Sequence, residues 1–255
     1  MKAIVLSSFP LVDKMSYKGR VLEGLVERGI EVVIIYAATA LWDYYREFRR
    51  RCTLWDVRQR LFARARKGTH PTGANAPLRE TARRLGIHVE FFRRFSDPHC
   101  LRMVREYGPD FVHNLSALFI PAKLLEATNH RVIGGHYGDL PRLRGSDMIR
   151  WTILLDQPMI ISHMLLSPRL DMGDIVAKTA VQVHRSDDVL DIRRKCQTTA
   201  AVGHLTVVDR MANGELRPLK QNEKDGSMFY RMGRFLKTEV DRILTRQGYS
   251  HYADG

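Results

Sequence analysis

Arg131-Val-Ile-Gly-Gly-His-Tyr-Gly-Asp-Leu-Pro-Arg-Leu-Arg-Gly145 changes character at His136. Up to that residue the run is apolar or small, as a buried strand requires. Beyond it come Gly, Asp and Pro, the residues of turns. Upstream, Gly108-Pro-Asp leads into a second apolar run, Phe111 to Leu115. Asp97-Pro98 is an N-terminal signal for the helix before it, ending at Tyr107. Pro121 to Ala127 is a short helix between the two strands. Nearer the N-terminus, strands are expected at Lys2–Ser7, Glu31–Tyr36 and Ile87–Phe92. Helices are expected at Gly19–Arg28, stopped by Gly29, and at Leu78–Leu85, stopped by Gly86. Between them, Thr39 to Lys67 reads as a helical insertion, followed by a loop over Gly68–Pro77.

Downstream, Ser146 is the expected cap of a helix to about Leu155. Met159–Leu166 and Ile175–Val183 read as strands. Ser186 is the expected cap of a long helix, Val189 to Met211, with Asp187 and Asp188 in its first turn, where acids suit the helix dipole. From Ala212 the chain is polar, with one further amphipathic helix, Gly233–Arg246, and a loose tail. Strands alternating with helices predict an α/β fold with a doubly wound, mostly parallel sheet. Residues 1–212 read as one domain with the insertion at 39–67, and 213–255 as a C-terminal extension. In such sheets the site lies beyond the carboxyl ends of the strands, at Ser7-Ser8, Asn114 and His136. The first turn, Ser7-Ser-Phe-Pro-Leu-Val-Asp13, has neither a GxGxxG nor a P-loop pattern, so nucleotide-binding fingerprints are unsupported.

The 255 residues carry 41 Lys and Arg against 28 Asp and Glu, a formal net charge of +13, with 44% apolar residues. That composition excludes fibrous and wholly disordered classes. The apolar runs are too short to span a bilayer, and no signal peptide is read, so no membrane partner and a cytoplasmic location are expected. Cys52, Cys100 and Cys196 are widely spaced, which predicts neither disulfides nor a cysteine zinc site. His113, His130, His163, His184 and His204 lack metal-ligand spacing, and no metal is expected. The charge excess concentrates between Arg46 and Lys67, where Tyr44, Tyr45, Phe48, Trp55 and Phe62 interleave with arginines. A solvated helical face and an anion-binding surface both fit that pattern.

Pro109-Asp-Phe-Val, Ile120-Pro-Ala-Lys-Leu-Leu-Glu126, His136 to Gly145 and Leu170-Asp-Met-Gly-Asp-Ile175 together resemble the formyltransferase family. That family includes methionyl-tRNA formyltransferases, glycinamide ribonucleotide transformylases and sugar N-formyltransferases. The resemblance implies a Rossmann-like catalytic domain, 10-formyltetrahydrofolate as formyl donor and an amine as acceptor. It also implies His136 and Asp171 as catalytic residues, with Asp174 a neighbouring candidate. No counterpart of the OB-type C-terminal domain of the tRNA enzymes is expected after Met211. The family's catalytic Asn stands two residues before the histidine, where this chain has Gly134. Loss of an oxyanion donor costs on the order of 10²–10³ in rate. Asn114 is therefore a candidate replacement donor, or else a strand-end turn former. A vacant Gly134 predicts a wider pocket. Gly138 and Asp139 also depart from the family's loop, and Asp139 could meet a substrate ammonium or face water. Tyr137, Leu140, Arg142 and Arg144 complete the expected substrate- or cofactor-binding loop, the arginines as holders of phosphate or carboxylate.

Three functions stay open. The first is formyl or related acyl transfer to a small-molecule amine. The second is a folate-independent acyl hydrolase, acyltransferase or cyclase on the same fold. The third is a scaffold that binds RNA or an acidic partner. A homo-oligomer also stays open, and nucleic acid is the less favoured partner.

Overall fold

A computed structural model describes residues 1–8, 17–37, 78–116 and 118–254. The arginine-rich insertion at 39–67, the loop at 68–77 and Cys52 lie outside the described residues.

The elements run β1 (Lys2–Ser8), α1 (Tyr17–Glu27), β2 (Glu31–Ala37), α2 (Leu78–Arg84), β3 (His88–Phe92), α3 (Pro98–Tyr107), β4 (Phe111–Asn114), α4 (Ala122–Ala127) and β5 (Val132–His136). After them come β6 (Leu143–Gly145), α5 (Met148–Leu154), β7 (Ile160–Leu165), β8 (Asp174–Ala180), α6 (Val189–Ala212), a 3₁₀ turn (Glu223–Asp225), β9 (Ser227–Phe229) and α7 (Arg234–Thr245). The main sheet has the order β3-β2-β1-β4-β5-β7-β8. Its first five strands are parallel, while β7 is antiparallel to both β5 and β8. The α/β, mostly parallel architecture is the one the sequence predicts.

Alternation along β1 shows why the sheet is covered on both faces. Ala3 and Val5 join the core formed with Val21, Leu22 and Leu25 of α1 and with Val207 and Val208 of α6. Ile4 and Leu6 point the other way, to Cys100, Leu101 and Val104 of α3 and to Leu124 and Leu125 of α4. Successive strand residues face opposite sides, so a strand covered on both must be apolar throughout. A third cluster ties α5 to α7 through Ile149, Ile153, Val240 and Leu244, with Tyr249 beneath.

Helix termini differ in detail from expectation. At α3, Asp97 accepts from His99 N at 2.9 Å, Pro98 opens the helix, and Gly108 closes it at φ +62°. At α6 the cap is Asp188, not Ser186. Its side chain accepts from the N–H groups of Leu190 and Asp191, and Asp191 returns a bond to the Asp188 N–H. A carboxylate that reaches two free N–H groups is the stronger cap. At α5 the cap position is Asp147, not Ser146. Its φ of +57° turns its carboxylate away to accept from Met232 N at 3.0 Å.

The tail is not loose. Tyr249 is buried and donates to Gln157 O at 2.6 Å, Ser250 bonds Asp156 through both N–H and hydroxyl, and Tyr252 bridges to Val183. The pairing of β6 with β9 was also not expected. It is a two-stranded parallel ribbon that joins the loop after His136 to the segment after α6.

Candidate active site

β5 delivers His136 at its carboxyl end, and the turn between β7 and β8 delivers Asp171. The two meet with Nδ1 of His136 3.5 Å from Oδ1 of Asp171, the side chains only 7% and 11% exposed. Asp171 holds a left-handed φ of +52°, uncommon for a residue other than glycine. Its second carboxylate oxygen accepts from Gly145 N at 2.8 Å, so one carboxylate braces both the histidine and the end of its loop. The other ring nitrogen of His136, Nε2, lies 2.8 Å from Leu143 O and must donate there. Nδ1 faces the Asp171 carboxylate while Nε2 faces Leu143 O, so the ring is held in place from both nitrogens.

Gly138 makes this ring position accessible. A Cβ there would stand 2.9 Å from both His136 Nε2 and Leu143 O, closer than ordinary packing allows. Gly134 has the opposite outcome from the expected open space. A Cβ built on it would lie 2.6 Å from Cδ2 of Leu166, so Leu166 fills the room the missing side chain leaves.

Asn114 lies directly beside Gly134 in the parallel register of β4 and β5. Strand alternation puts it on the same face as Gly134 and His136. Its Oδ1 accepts from Ser116 N at 3.0 Å and from Ser116 Oγ at 2.6 Å, an Asx turn. The Nδ2 end is the one left to meet a ligand.

The remaining loop residues divide. Tyr137 packs towards Cys196 and the α5–α7 cluster, where burial raises its hydroxyl pKa well above the ordinary value. Leu140 is fully buried against Met164 and Ile175 and faces the core. Its N–H donates to Ser162 Oγ, which in turn donates to Gly138 O at 2.7 Å. Asp139 is paired with Lys178 of β8 at 2.6 Å, at the rim of the site. Arg142 is exposed. Arg144 is buried, and its Nη2 donates to Glu223 O and Gly226 O, so it ties the loop to the C-terminal segment. Asp174 opens β8 next to Leu165. His136 and Asp171 thus meet at the carboxyl end of β5, with Gly134 and Asn114 on the same face of the sheet, while Leu140, Tyr137 and Arg144 pack beneath the loop.

Sequence reasoning missed Leu166, Ser162, Lys178 and Gln221. None carries a local signal, because each reaches the site through strand register or a long-range return of the chain. Among the described residues no group of three or more His, Cys, Asp or Glu could hold a metal. Cys100 and Cys196 are buried with thiol pKa values pushed up to about 12 by desolvation, which leaves both poor nucleophiles. No helix among the described residues is long and apolar enough to cross a membrane.

Comparison with known proteins follows the same geometry. A sequence model described as formyl transferase matches residues 75–208. Methionyl-tRNA formyltransferase of Bacillus licheniformis is 28% identical over 162 residues, covering 62% of this chain and 51% of the relative. That of Bacillus thuringiensis is 27% identical over 181 residues, covering 69% and 56%. The chain therefore spans about half the length of these relatives. Among solved structures, an N-formyltransferase from Helicobacter canadensis, in complex with folinic acid and dTDP-3-aminofucose, superposes with a TM-score of 0.61. It is 15% identical and covers 91% of this chain and 71% of its own. Glycinamide ribonucleotide transformylase 1 from Symbiobacterium toebii gives 0.58 at 18% identity, covering 87% and 94%. At these identities the superpositions speak for the fold.

Proposed function

The chain belongs to the formyl transferase family, and on that premise we propose that it transfers a formyl or closely related acyl group to the amine of a small molecule. One observation carries the reading: an imidazole and a carboxylate paired in the crevice at the carboxyl end of β5. The formyl donor such a site takes is 10-formyltetrahydrofolate, which arrives as a substrate. The amine nitrogen attacks the formyl carbon, and the carbonyl electron pair moves to oxygen. On collapse the bond from carbon to the folate nitrogen breaks, and the proton lost by the amine passes to that leaving nitrogen. His136, oriented by Asp171, stabilises the developing oxyanion through its Nε2–H. An incoming carbonyl oxygen competes with Leu143 O for the Nε2–H. Asn114 Nδ2 is the second donor, in place of the side chain absent at Gly134.

The test is a transfer assay with 10-formyltetrahydrofolate across a panel of small amines, amino sugars included. Transfer is expected, reduced by about 10²–10³ in His136→Ala, the effect of one lost oxyanion donor. Absence of transfer with every amine, together with no folate binding, would overturn the reading. A second reading has its own observation: both ring nitrogens of His136 are engaged within the protein and Leu166 occupies the space above Gly134. On that reading the crevice binds donor or amine without turnover, so ligand binding with no product distinguishes it.

A further inference from the structure

Asp171 stands in an uncommon backbone conformation at the tip of a turn, yet its carboxylate must meet two partners from a different loop. Within its own turn Met172 N–H donates to Arg169 O at 3.3 Å, and the segment between α6 and β9 holds the turn from outside. Leu219 exchanges a pair of backbone bonds with Ile175, both 2.8 Å, which sets the register of this segment against β8. Two residues on, Gln221 Nε2 donates to Asp171 O at 3.1 Å and to Gly173 O at 2.6 Å. One amide nitrogen thus spans the turn that carries the carboxylate and uses both of its hydrogens.

The orientation of that amide is fixed by chemistry. Reversed, its oxygen would face two carbonyl oxygens. In the observed orientation Gln221 Oε1 is buried without a partner among the described residues, a condition that is costly in a packed interior. A glutamine that merely filled space would not need this arrangement. A further side-chain link from the turn to this segment is Arg169 with Glu223, both more than 60% exposed, and exposed pairs contribute little.

We infer that Gln221 is the positioning residue for Asp171, fixing the backbone from which the carboxylate reaches His136 and Gly145. The inference rests on the proposed reading only in its kinetic consequence; the structural part stands on the geometry alone. Gln221→Glu is the critical variant, because it keeps the shape and removes the donor. Gln221→Lys keeps a donor and changes the shape.

The readout independent of turnover is the imidazole ¹⁵N resonance of His136, assigned by its loss in His136→Gln. In Gln221→Glu the Nδ1 resonance at fixed pH should move in the same direction as in Asp171→Asn, with at least half its amplitude, while Gln221→Lys stays near wild type. Where transfer is observed, kcat should fall by about 10²-fold in Gln221→Glu with KM for the amine little changed. That is the loss a displacement of about 1 Å produces. A wild-type His136 signal in Gln221→Glu would overturn the inference, as would an equal change in Gln221→Lys. Failure to detect transfer in the wild type would count against the proposed reaction and leave the resonance test in force.

Discussion

Asn114 joins an observed turn to a proposed role in one side chain, and a single substitution separates them. Its Oδ1 closes the turn onto Ser116, while Nδ2 is the candidate oxyanion donor. Asp at this position keeps the acceptor and removes the donor. Asn114→Asp is therefore expected to unfold at the same urea midpoint as wild type while transfer falls by about 10²–10³, the effect of one lost oxyanion donor. Parallel rate and stability measurements check this, and unchanged transfer would remove Asn114 from the mechanism. Asn114→Ala loses both functions and would not discriminate. At this scale the sequence was informative about identity and silent about environment. The resemblance to the family singles out His136 and Asp171, and the two do meet. That Leu166 would lean over Gly134 depends on the antiparallel return of β7, which no local pattern encodes. Nor does a local pattern show that Arg144 would be buried against two carbonyls rather than open to an anion.

The long helix α6 illustrates what is legible at the level of elements. Its apolar spacing and length were readable, because 3.6-residue periodicity is a local property. Its cap lies two residues beyond the Ser186 that the sequence suggests, since Ser186, Asp187 and Asp188 are all competent and geometry alone selects among them. With Asp188 accepting from two N–H groups and Asp191 returning the bond, Asp188→Ala is expected to destabilise the fold by about 1 kcal/mol. Chemical unfolding reads this directly. Ser186→Ala, by contrast, should leave stability within about 0.5 kcal/mol, the usual range for a surface substitution. The short strands β6 and β9 were not legible for a different reason. Each has three residues, and their pairing joins parts of the chain that carry no mutual signal in sequence. The tail misled in the same way: its order comes from contacts made with Asp156, Gln157 and Val183, not from any propensity of its own.

For the molecule as a whole, acid sensitivity follows from a cluster on the face opposite His136. The rings of His113, His163 and His204 pack edge to face, with His113 Nδ1 3.1 Å from His204 Nδ1 and His163 Nε2 3.0 Å from Ala200 O. A Cβ on Gly203 would overlap the His163 ring, so the helix can lie this close only with glycine there. Burial lowers the pKa of His113 to about 3 and that of His163 to about 4, and takes His204 well below its ordinary value. All three are therefore neutral in the folded protein near pH 7. Once unfolded they titrate near 6.5, so below that pH the unfolded chain takes up protons the fold refuses. Stability should fall as pH drops from about 6.5 towards about 4, by up to about 1.4 kcal/mol per pH unit for each imidazole. Urea unfolding between about pH 7 and 5, above the main carboxylate range, isolates this contribution; a flat profile there would contradict it.

Translation proceeds from the N-terminus, and the ribbon of β6 with β9 gives that direction a consequence. His136 and Asp171 leave the ribosome long before the strand that lies against their loops. Arg144 finds its carbonyl acceptor at Gly226 only after 82 further residues. A nascent chain can thus complete its central sheet while the histidine loop still lacks its neighbour, so this ribbon closes only on a sheet already formed.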